Sequence, residues 1–442
     1  MLSRLANDSQ NESPIGQERK KPMRAYDLKM ISITQHFPSN KIDNISEVTR
    51  DEIAKTGVKF AKGSRIAITA GSRGIANIAT IIRAVVDEIK SQEACPFIIP
   101  AMGSHGGATA EGQRKVLAHY GITEDTMGAP IVSSMDVVSI PNEENGFRLF
   151  MAKDAYDADG VVIVNRVKPH TDFHGPVESG LMKMCVIGLG KHAQALEMHR
   201  QGVYGLRELV PVAARKILST GKIYLGIGIV ENALDETLLI KAANAEDIES
   251  LDAELIDLAR QNMPSLPIDH LDLLIVDELG KDKSGTGLDT NIIGRMGILG
   301  QKDSDKPTIS YIIACNLTEA SDGNALGMGL ADFITQKFHD RIDFAATYEN
   351  VMTSSFIKRG RMPMVARNEE QAVEWALRAI GPKQPEDILA MRIRSTLELG
   401  DLQVSPAVLR KIMDSPIVKE RKMEVLGTEN TMFDESGNLK PF

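Results

Sequence analysis

Apolar and polar positions follow one another in a repeated order of strand, loop and helix through the first part of the chain. A short apolar run at 65–70 is followed by a polar loop and by a helical spacing of apolar residues from about 75 to 90. A second apolar run at 96–100 leads through a glycine-rich loop into a helix from about 110 to 120. Strands separated by helices of this length predict a parallel or mixed α/β sheet.

The pattern extends to about residue 262. Further buried strands are predicted at 159–165 and 224–230, and a charged amphipathic helix at 245–261. Pro264 and Pro267 follow this helix, and closely spaced prolines interrupt both helices and central strands. The stretch 263–267 therefore predicts a linker.

The α/β pattern restarts after the linker. Strands are predicted at 271–276 and 309–315, each followed by a polar loop with glycine, and a helix is predicted to start near Met328. From about residue 368 the spacing of apolar residues is helical, which predicts helices near 369–380, 385–397 and 406–413.

These patterns predict two α/β domains with a catalytic cleft between them and a helical C-terminal segment. In open α/β sheets, ligands bind beyond the carboxyl ends of the strands. We expect a disordered tail, an N-terminal α/β cofactor-binding and catalytic domain, a smaller C-terminal α/β domain, and a helical segment that packs back on the N-terminal domain, with the bounds 1–30, 31–266, 267–366 and 367–442.

Composition and charge narrow the class of ligand. The 442 residues are 43% hydrophobic and 25% charged, and the net charge of −9 argues against nucleic acid or an anionic membrane as a partner. Cys95, Cys185 and Cys315 lie far apart, which disfavours a zinc ribbon, an iron–sulfur cluster or a disulfide framework and suits a reducing compartment. No apolar run approaches the ~20 residues that span a bilayer. We therefore expect a cytoplasmic protein that acts on a small molecule.

Two loops that follow strands carry candidate chemistry. Ser72 and Arg73 lie between a strand and a helix, where backbone N–H groups and an arginine side chain can bind an anion such as phosphate. His105 lies in the glycine-rich loop after the next strand, and a histidine at a sheet edge can act as an acid or a base.

The stretch 164–199 is unusually rich in histidine and glycine and contains four of the nine histidines. Histidines titrate near neutrality and bind metals, and glycines let the backbone approach a ligand closely. Lys183 stands between Met182 and Met184, and a lysine in apolar surroundings has a lowered pKa and can act as a nucleophile. His199 ends a predicted helix and suits nickel, zinc or iron.

In this order, the motifs resemble the nickel-dependent lactate racemase family, whose members racemise or epimerise 2-hydroxy acids. The matching residues are Arg73 in the phosphate loop beside Ser72, the catalytic His105 in Gly103-Ser104-His105, the catalytic His170 in Pro169-His170, the lysine motif Ser179-Gly180-Leu181-Met182-Lys183, and the metal ligand His199. The match extends from about residue 64 to about residue 365.

The resemblance implies a cofactor, the nickel-pincer nucleotide (pyridinium-3,5-bisthiocarboxylic acid mononucleotide). It implies that Lys183 carries this group covalently, that Ser179, Ser72 and Arg73 help to bind it, and that His199 ligates its nickel. It also implies maturation enzymes as partners, because they load the cofactor. The implied reaction moves the C2 hydrogen of the substrate as hydride, while His105 and His170 handle the proton of the 2-hydroxyl.

The chain also departs from the family pattern. The family has an Asp-x-Thr-Arg-Pro turn where this chain has Ala70 to Gly74, so an acidic residue is missing. The spacing between His170 and Lys183 is longer, which leaves His174 as a rival for the second catalytic role. The family's second-domain substrate residues have no clean match.

The candidates for substrate binding in the second domain are polar residues of its predicted loops, namely Lys281, Arg295, Asp322 and Asn324. Because these loops carry many hydrogen-bonding groups, we expect a substrate longer than lactate, such as a sugar acid. Two alternatives stay open. One is a zinc- or iron-dependent lyase or hydrolase that uses His105, His170 and His199 as ligands, and the other is a non-catalytic nucleotide-binding sensor.

Overall fold

A computed structural model describes residues 23–72, 74–427 and 432–442. These residues form a sheet of five strands, a sheet of eight strands and a two-stranded ribbon. In chain order the strands are β1 Ile31–Thr34, β2 Arg65–Ala70, β3 Cys95–Pro100, β4 Val137–Ile140, β5 Leu149–Ala152, β6 Gly160–Arg166, β7 Ile223–Glu231, β8 Thr237–Asn244, β9 His270–Leu279, β10 Thr308–Leu317, β11 Phe333–Thr335, β12 Met364–Ala366, β13 Ala390–Ile393, β14 Asp401–Val404 and β15 Glu424–Val425.

Helices connect most of these strands. In chain order the α-helices are α1 Ile45–Lys55, α2 Ile78–Ser91, α3 Ala110–His119, α4 Glu124–Met127, α5 Lys153–Tyr156, α6 Leu181–Lys183, α7 Lys191–His199, α8 Gly202–Tyr204, α9 Val210–Leu218, α10 Ile248–Asn262, α11 Thr290–Ile293, α12 Gln336–His339, α13 Phe344–Ser354, α14 Glu369–Ile380, α15 Pro406–Met413 and α16 Ile417–Glu420. None of the described helices is long and apolar enough to cross a bilayer.

The five-stranded sheet is the centre of the first unit. Its order is β3-β2-β6-β7-β8, and the strands are parallel except for β8, which runs antiparallel to β7. Residues Val161 to Val164 are all fully buried, as expected for a parallel sheet that is covered on both faces. Two apolar clusters cover these faces, one with α9 and α10 and the other with α1 and α2.

The eight-stranded sheet is the centre of the second unit, and its order is β12-β11-β10-β9-β13-β14-β1-β15. The strands from β12 to β13 are parallel, whereas β14, β1 and β15 pair antiparallel at the other side. The prediction of two α/β domains is therefore confirmed. The helix predicted near Met328 is wrong, because residues Met328–Leu330 form a single 3-10 turn before β11.

The C-terminal segment is part of the second sheet, which corrects the prediction of a helical segment packed on the N-terminal domain. Helices occur at α14 and α15 as predicted, but the predicted helix at 385–397 is wrong and contains strand β13. All four residues of β13 are buried, because the strand lies between β9 and β14. A short strand that is buried on both faces lacks the alternation that distinguishes a strand from a helix.

The N-terminal strand also belongs to the second unit. β1 was expected in the domain 31–266, but it pairs antiparallel with β14, and Ile31 and Ile33 enter the second core. The predicted tail of residues 1–30 is too long, because Ala25 and Leu28 are fully buried in the same unit. Residues 1–22 lie outside the described part of the chain.

An apolar cluster joins the two units. It contains Phe173, Val203 and Leu206 of the first unit and Ile298 and Phe356 of the second. The cluster lies beside the segment that follows β6, so the second unit supports a loop of the first.

The position of β1 predicts a stability effect. Replacement of Ile33 by Ala should lower the free energy of unfolding by about 2–4 kcal/mol, because the side chain is 2% exposed in the core of the second unit. Ser32→Ala, on the opposite face of the same strand, should change it by less than about 0.5 kcal/mol. Urea denaturation measures both values, and equal effects of the two substitutions would contradict the placement of β1.

Candidate active site

Three loops that follow parallel strands bring polar side chains to one edge of the first sheet. The loop after β2 carries Ser72, the loop after β3 carries His105, and the segment after β6 carries His170. Neighbouring parallel strands have their carboxyl ends at the same edge, so the three loops border one site. Met184, which follows α6, packs against the loop after β2. A Cβ atom on Gly71 would lie 3.3 Å from Met184 Cε.

Helix α6 begins at a buried aspartate. The carboxylate of Asp252 accepts hydrogen bonds from the backbone N–H groups of Leu181 (2.8 Å) and Met182 (3.0 Å). A Cβ atom on Gly180 would lie 1.9 Å from Asp252 Oδ1, so this close approach requires glycine. Burial raises the pKa of Asp252 to about 6, although both amides favour the ionised form. This cap fixes the start of the helix that carries Lys183.

Lys183 and His170 are in direct contact. Lys183 Nζ lies 2.7 Å from His170 Nε2 and 3.4 Å from Ser179 Oγ. The imidazole stacks on the Phe173 ring with centroids 4.6 Å apart, which fixes its plane. The structure therefore brings the Pro-His pair and the Ser-Gly-x-x-Lys motif into one group.

The protonation of this pair follows from its contacts. Burial and the positive charge of Lys183 lower the pKa of His170 to about 3, so its ring is neutral near pH 7. The backbone N–H of Asp172 donates to His170 Nδ1 (3.1 Å), which places the proton of the neutral ring on Nε2. The amino group of Lys183 thus lies beside a buried, neutral imidazole.

The segment between β6 and α6 folds around the buried carboxylate of Glu178. This carboxylate accepts from the backbone N–H of His170 (2.6 Å) and from Arg260 Nη2 (2.5 Å). His174 Nδ1 lies 3.3 Å from the same carboxylate, and its side chain also lines a cavity of about 590 Å³ between the two units. Of the two rival histidines, His170 is the one that contacts Lys183.

His199 ends α7 near the same pair. Burial and the positive charge of Lys183 lower the pKa of His199, although the carboxylate of Asp172 opposes this effect. His199 is therefore near enough to Lys183 and Asp172 for their charges to affect its imidazole. A neutral imidazole is the form that ligates transition metals.

Ser72 and His105 form a second pair at the same edge. A hydrogen bond joins Ser72 Oγ and His105 Nδ1, and Tyr120 Oη donates to the Ser72 carbonyl (2.9 Å). Gln113 Nε2 holds the other loop by donating to the carbonyl of His105 (3.2 Å). A hydroxyl group thus contacts His105 Nδ1. The predicted phosphate ligand Arg73 lies outside the described residues.

The predicted substrate residues of the second unit have different placements. Lys281 Nζ donates to the Gly285 carbonyl (2.6 Å) and to Asn350 Oδ1 (2.9 Å), and Asn324 Nδ2 donates to the same amide oxygen (3.1 Å). Asp322 is exposed in a left-handed turn. These three predicted residues lie on the two loops that follow β9 and β10.

The structure does not bring Arg295 into this group. Its guanidinium donates to the carbonyls of Leu330 (2.9 Å), Ile309 (3.0 Å) and Ser310 (2.7 Å), and it pairs with Asp332 (2.8 Å). Ile309 and Ser310 are near the start of β10, so Arg295 lies at the amino end of that strand, far along the strand from its carboxyl end.

Three charged residues that fix the backbone of the site were not predicted from the sequence. Glu178 and Asp252 are buried carboxylates that bind backbone N–H groups, and Arg359 of the second unit binds Asp172 Oδ1 (2.5 Å). Buried charges are uncommon unless they are paired. An acidic residue on the apolar face of a helix, such as Asp252 in α10, was therefore a signal of such a pairing.

The donor set can be compared with the implied cofactor. Across the described ranges, no three His, Cys, Asp or Glu side chains are arranged to hold a metal ion. The implied nucleotide would supply two sulfurs and a ring carbon to nickel, so one protein ligand would suffice. A single neutral imidazole at His199 and the amino group of Lys183 would fit this requirement.

Comparisons with known proteins give a family and several structural likenesses, two of which follow. The model of a family described as Domain of unknown function (DUF362) matches residues 69–301. The apoprotein structure of lactate racemase from Thermoanaerobacterium thermosaccharolyticum is similar at 12% identity and a TM-score of 0.46, over 81% of this chain and 99% of that chain. A structural-genomics crystal structure of a protein from Thermotoga maritima is similar at 12% identity and a TM-score of 0.46, over 80% of this chain and 88% of that one.

No curated protein sequence matches this chain. The description of the matching family assigns no activity. The resemblance to nickel-dependent lactate racemases, which was based on motifs, therefore stays a prediction.

The buried imidazole predicts a dependence of stability on pH. The unfolded chain protonates His170 near pH 6.5, whereas the folded protein does so only near pH 3, so its contribution to stability is lost as the pH falls below 6.5. Between about pH 7.5 and about pH 5, wild-type protein should lose about 1–2 kcal/mol more stability than His170→Gln.

Urea denaturation at the two pH values measures this difference. His119→Gln, at an exposed position on α3, is the control and should keep the wild-type pH dependence. An equal loss in wild type and His170→Gln would show that the imidazole is not held neutral by its surroundings.

Proposed function

This chain belongs to the family described as Domain of unknown function (DUF362), and we propose that it is a racemase or epimerase that inverts C2 of a 2-hydroxy carboxylic acid. One observation supports the proposal most directly. Lys183 Nζ lies 2.7 Å from Nε2 of the neutral His170, beside Ser179. The Pro-His pair and the Ser-Gly-x-x-Lys motif thus lie in contact, and the proposed reaction needs both in one site.

The proposal includes a nickel-pincer nucleotide, which accepts hydride from C2 and returns it when bound. The residues proposed to hold it are Lys183 through a covalent bond, Ser179 beside that lysine, and His199 through nickel. Ser72 and Arg73 are proposed for the phosphate, since they follow β2 and precede α2. The position of Lys183 Nζ beside His170 and Ser179 supports the covalent bond.

His105 and His170 are proposed to move the proton of the 2-hydroxyl. The substrate loses hydride from C2 and a proton from its hydroxyl oxygen, which leaves a planar 2-keto acid. Return of hydride to the other face of C2, with return of a proton to the oxygen, gives the other stereoisomer. Burial keeps the His170 imidazole neutral near pH 7.

The second unit is proposed to bind the remainder of the substrate and to exclude water from the keto acid. The loops after β9 and β10 carry amide and carboxylate groups that are exposed or part-exposed, among them Asp282, Asp322 and Asn324. These groups suit a longer, hydroxylated acid better than lactate. Lys281 is the proposed partner of the substrate carboxylate because Lys281 and Asn324 donate to the same Asn350 amide oxygen.

A zinc- or iron-dependent lyase or hydrolase is the weaker alternative. It requires three protein ligands, and in the part of the chain that the structure describes no such set of His, Cys, Asp and Glu occurs. A non-catalytic nucleotide-binding sensor is the other alternative. It gives no role to a lysine in contact with a buried, neutral histidine.

The first test of the proposal concerns the covalent bond and the metal. Protein co-expressed with cofactor-maturation enzymes should carry a mass addition on Lys183 and about one nickel per chain, because Lys183 is the lysine of the Ser-Gly-x-x-Lys motif and contacts His170. His199→Ala should keep the addition and lose most of the nickel. Peptide mass spectrometry and metal analysis measure these quantities.

Lys183→Arg is the matched control and should carry neither the addition nor nickel. An unmodified Lys183 in an active, nickel-containing sample would exclude the covalent bond. Nickel retained in His199→Ala would transfer the ligand role to His192, seven residues earlier in the sequence (199 − 192 = 7).

The second test concerns the reaction. Loaded protein given C2-deuterated lactate, glycerate or gluconate in ordinary water should interconvert the stereoisomers of at least one acid and retain its deuterium, because hydride does not exchange with water. His105→Ala and His170→Ala should each lower the rate by about 10²-fold or more, since a general base contributes about 10²–10⁴-fold.

Chiral chromatography with mass detection measures both quantities. His174→Ala is the control, because its imidazole faces Glu178 and not Lys183. Complete exchange of the C2 deuterium with solvent would exclude hydride transfer. Full activity of His170→Ala together with an inactive His174→Ala would assign the second catalytic role to His174.

A further inference from the structure

A buried arginine of the second unit reaches the loop that carries His170. Arg359 lies in the 3-10 turn Ile357–Gly360 and is 1% exposed. Its guanidinium donates to Asp172 Oδ1 (2.5 Å) and to the Thr171 carbonyl (2.9 Å) of the first unit. Nε and Nη2 also donate to the carbonyl of Met296 (2.9 and 2.8 Å), so the arginine is fixed within its own unit.

Two neighbouring side chains of the second unit hold the same loop. Thr290 Oγ1 donates to the Thr171 carbonyl (2.7 Å), and Asn291 Nδ2 donates to the His170 carbonyl (3.4 Å). The backbone next to His170 is therefore bound from the second unit at two successive carbonyl groups. Arg359 adds the one charged contact.

We infer that Arg359 is a positioning residue for His170: by binding Asp172 and the Thr171 carbonyl, it keeps the Asp172 carboxylate away from His170 Nδ1 and so preserves the contact between Nε2 and Lys183. The importance of this positioning for catalysis rests on the proposed function. The positioning itself does not depend on that function. Arg359 is not proposed to touch the substrate.

The geometry explains how the effect arises. Asp172 Oδ2 lies 3.7 Å from His170 Nδ1, while Oδ1 is bound by Arg359, and the Asp172 backbone N–H occupies Nδ1. Without the guanidinium, the Asp172 carboxylate loses the cation that binds Oδ1, while its Oδ2 stays beside His170 Nδ1. The carboxylate would then attract a proton to Nδ1. The neutral ring could carry its proton there instead of on Nε2.

Several charged groups face His170, and they act in opposite directions. Burial and Lys183 lower its pKa, Asp172 and Glu178 raise it, and Arg359 lowers it. Removal of Arg359 thus takes away a positive charge and frees a negative one, and both changes favour the protonated ring.

Arg295 provides a matched control in the same unit. Like Arg359, it donates to backbone carbonyls and pairs with one aspartate, Asp332, but at the amino end of β10. Arg359→Met removes a buried guanidinium, and Arg295→Met removes a part-buried one. Each guanidinium binds one carboxylate. Only the first substitution removes the partner of Asp172.

The experiment is a histidine-selective ¹⁵N NMR titration of the full chain, in which His170 is assigned by the loss of its signals in His170→Gln. Wild type should show the ring as a neutral Nε2–H tautomer near pH 7. In Arg359→Met the apparent pKa of His170 should rise by about one unit or more. In Arg295→Met the tautomer and the pKa should equal those of wild type.

Two further variants keep the result interpretable. In Arg359→Met/Asp172→Asn, which lacks both charges, the His170 signals should return toward wild type. If Arg359→Met does not fold, Arg359→Lys takes its place, because a lysine keeps the charge but cannot make the forked contacts to Thr171, Asp172 and Met296. A smaller rise in pKa is expected for Arg359→Lys.

Unchanged His170 signals in the Arg359 variants, or equal changes in Arg295→Met, would overturn the positioning role. The titration needs neither substrate nor cofactor. A protein that turns over no 2-hydroxy acid would therefore remove the proposed function but not this inference, and an unchanged His170 would remove the inference alone.

Discussion

The buried carboxylate of Glu178 holds the irregular segment between β6 and α6, and the arrangement of the site depends on it. Burial alone would raise the pKa of Glu178, but hydrogen bonds from His174, the His170 amide, Arg260 and the Gly175 amide lower it. The group is therefore ionised and binds two backbone N–H groups that would otherwise be buried without partners. This ring of contacts turns the chain so that His170 meets Lys183, which is thirteen residues later (183 − 170 = 13).

The two-unit fold was accessible from the sequence because its central strands are long apolar runs between helices of clear period. β2, β3, β6 and β9 occur close to their predicted positions. The predictions failed where a strand is short and its partner is distant in sequence. β1 pairs with β14, about 370 residues later, and neither has enough residues to show a period of its own.

The site was predictable to the extent that its residues lie in compact motifs. His170, Ser179 and Lys183 come from one stretch of sequence, and the structure brings them together. The residues that orient them were not predictable in this way. Asp252 is 71 residues from Leu181, and Arg359 is 187 residues from Asp172. Side chains this far apart in sequence have no spacing rule, so only the tertiary structure relates them.

The close approach of Gly180 and Asp252 links two positions that are distant in sequence. A side chain at position 180 and a carboxylate at position 252 cannot occupy the same space, and the carboxylate is needed to cap α6. Position 180 can therefore gain a side chain during evolution only if position 252 also changes, with a different cap for the helix. Among relatives, loss of the Gly180–Asp252 pair would therefore identify chains in which the helix that carries Lys183 begins with a different cap.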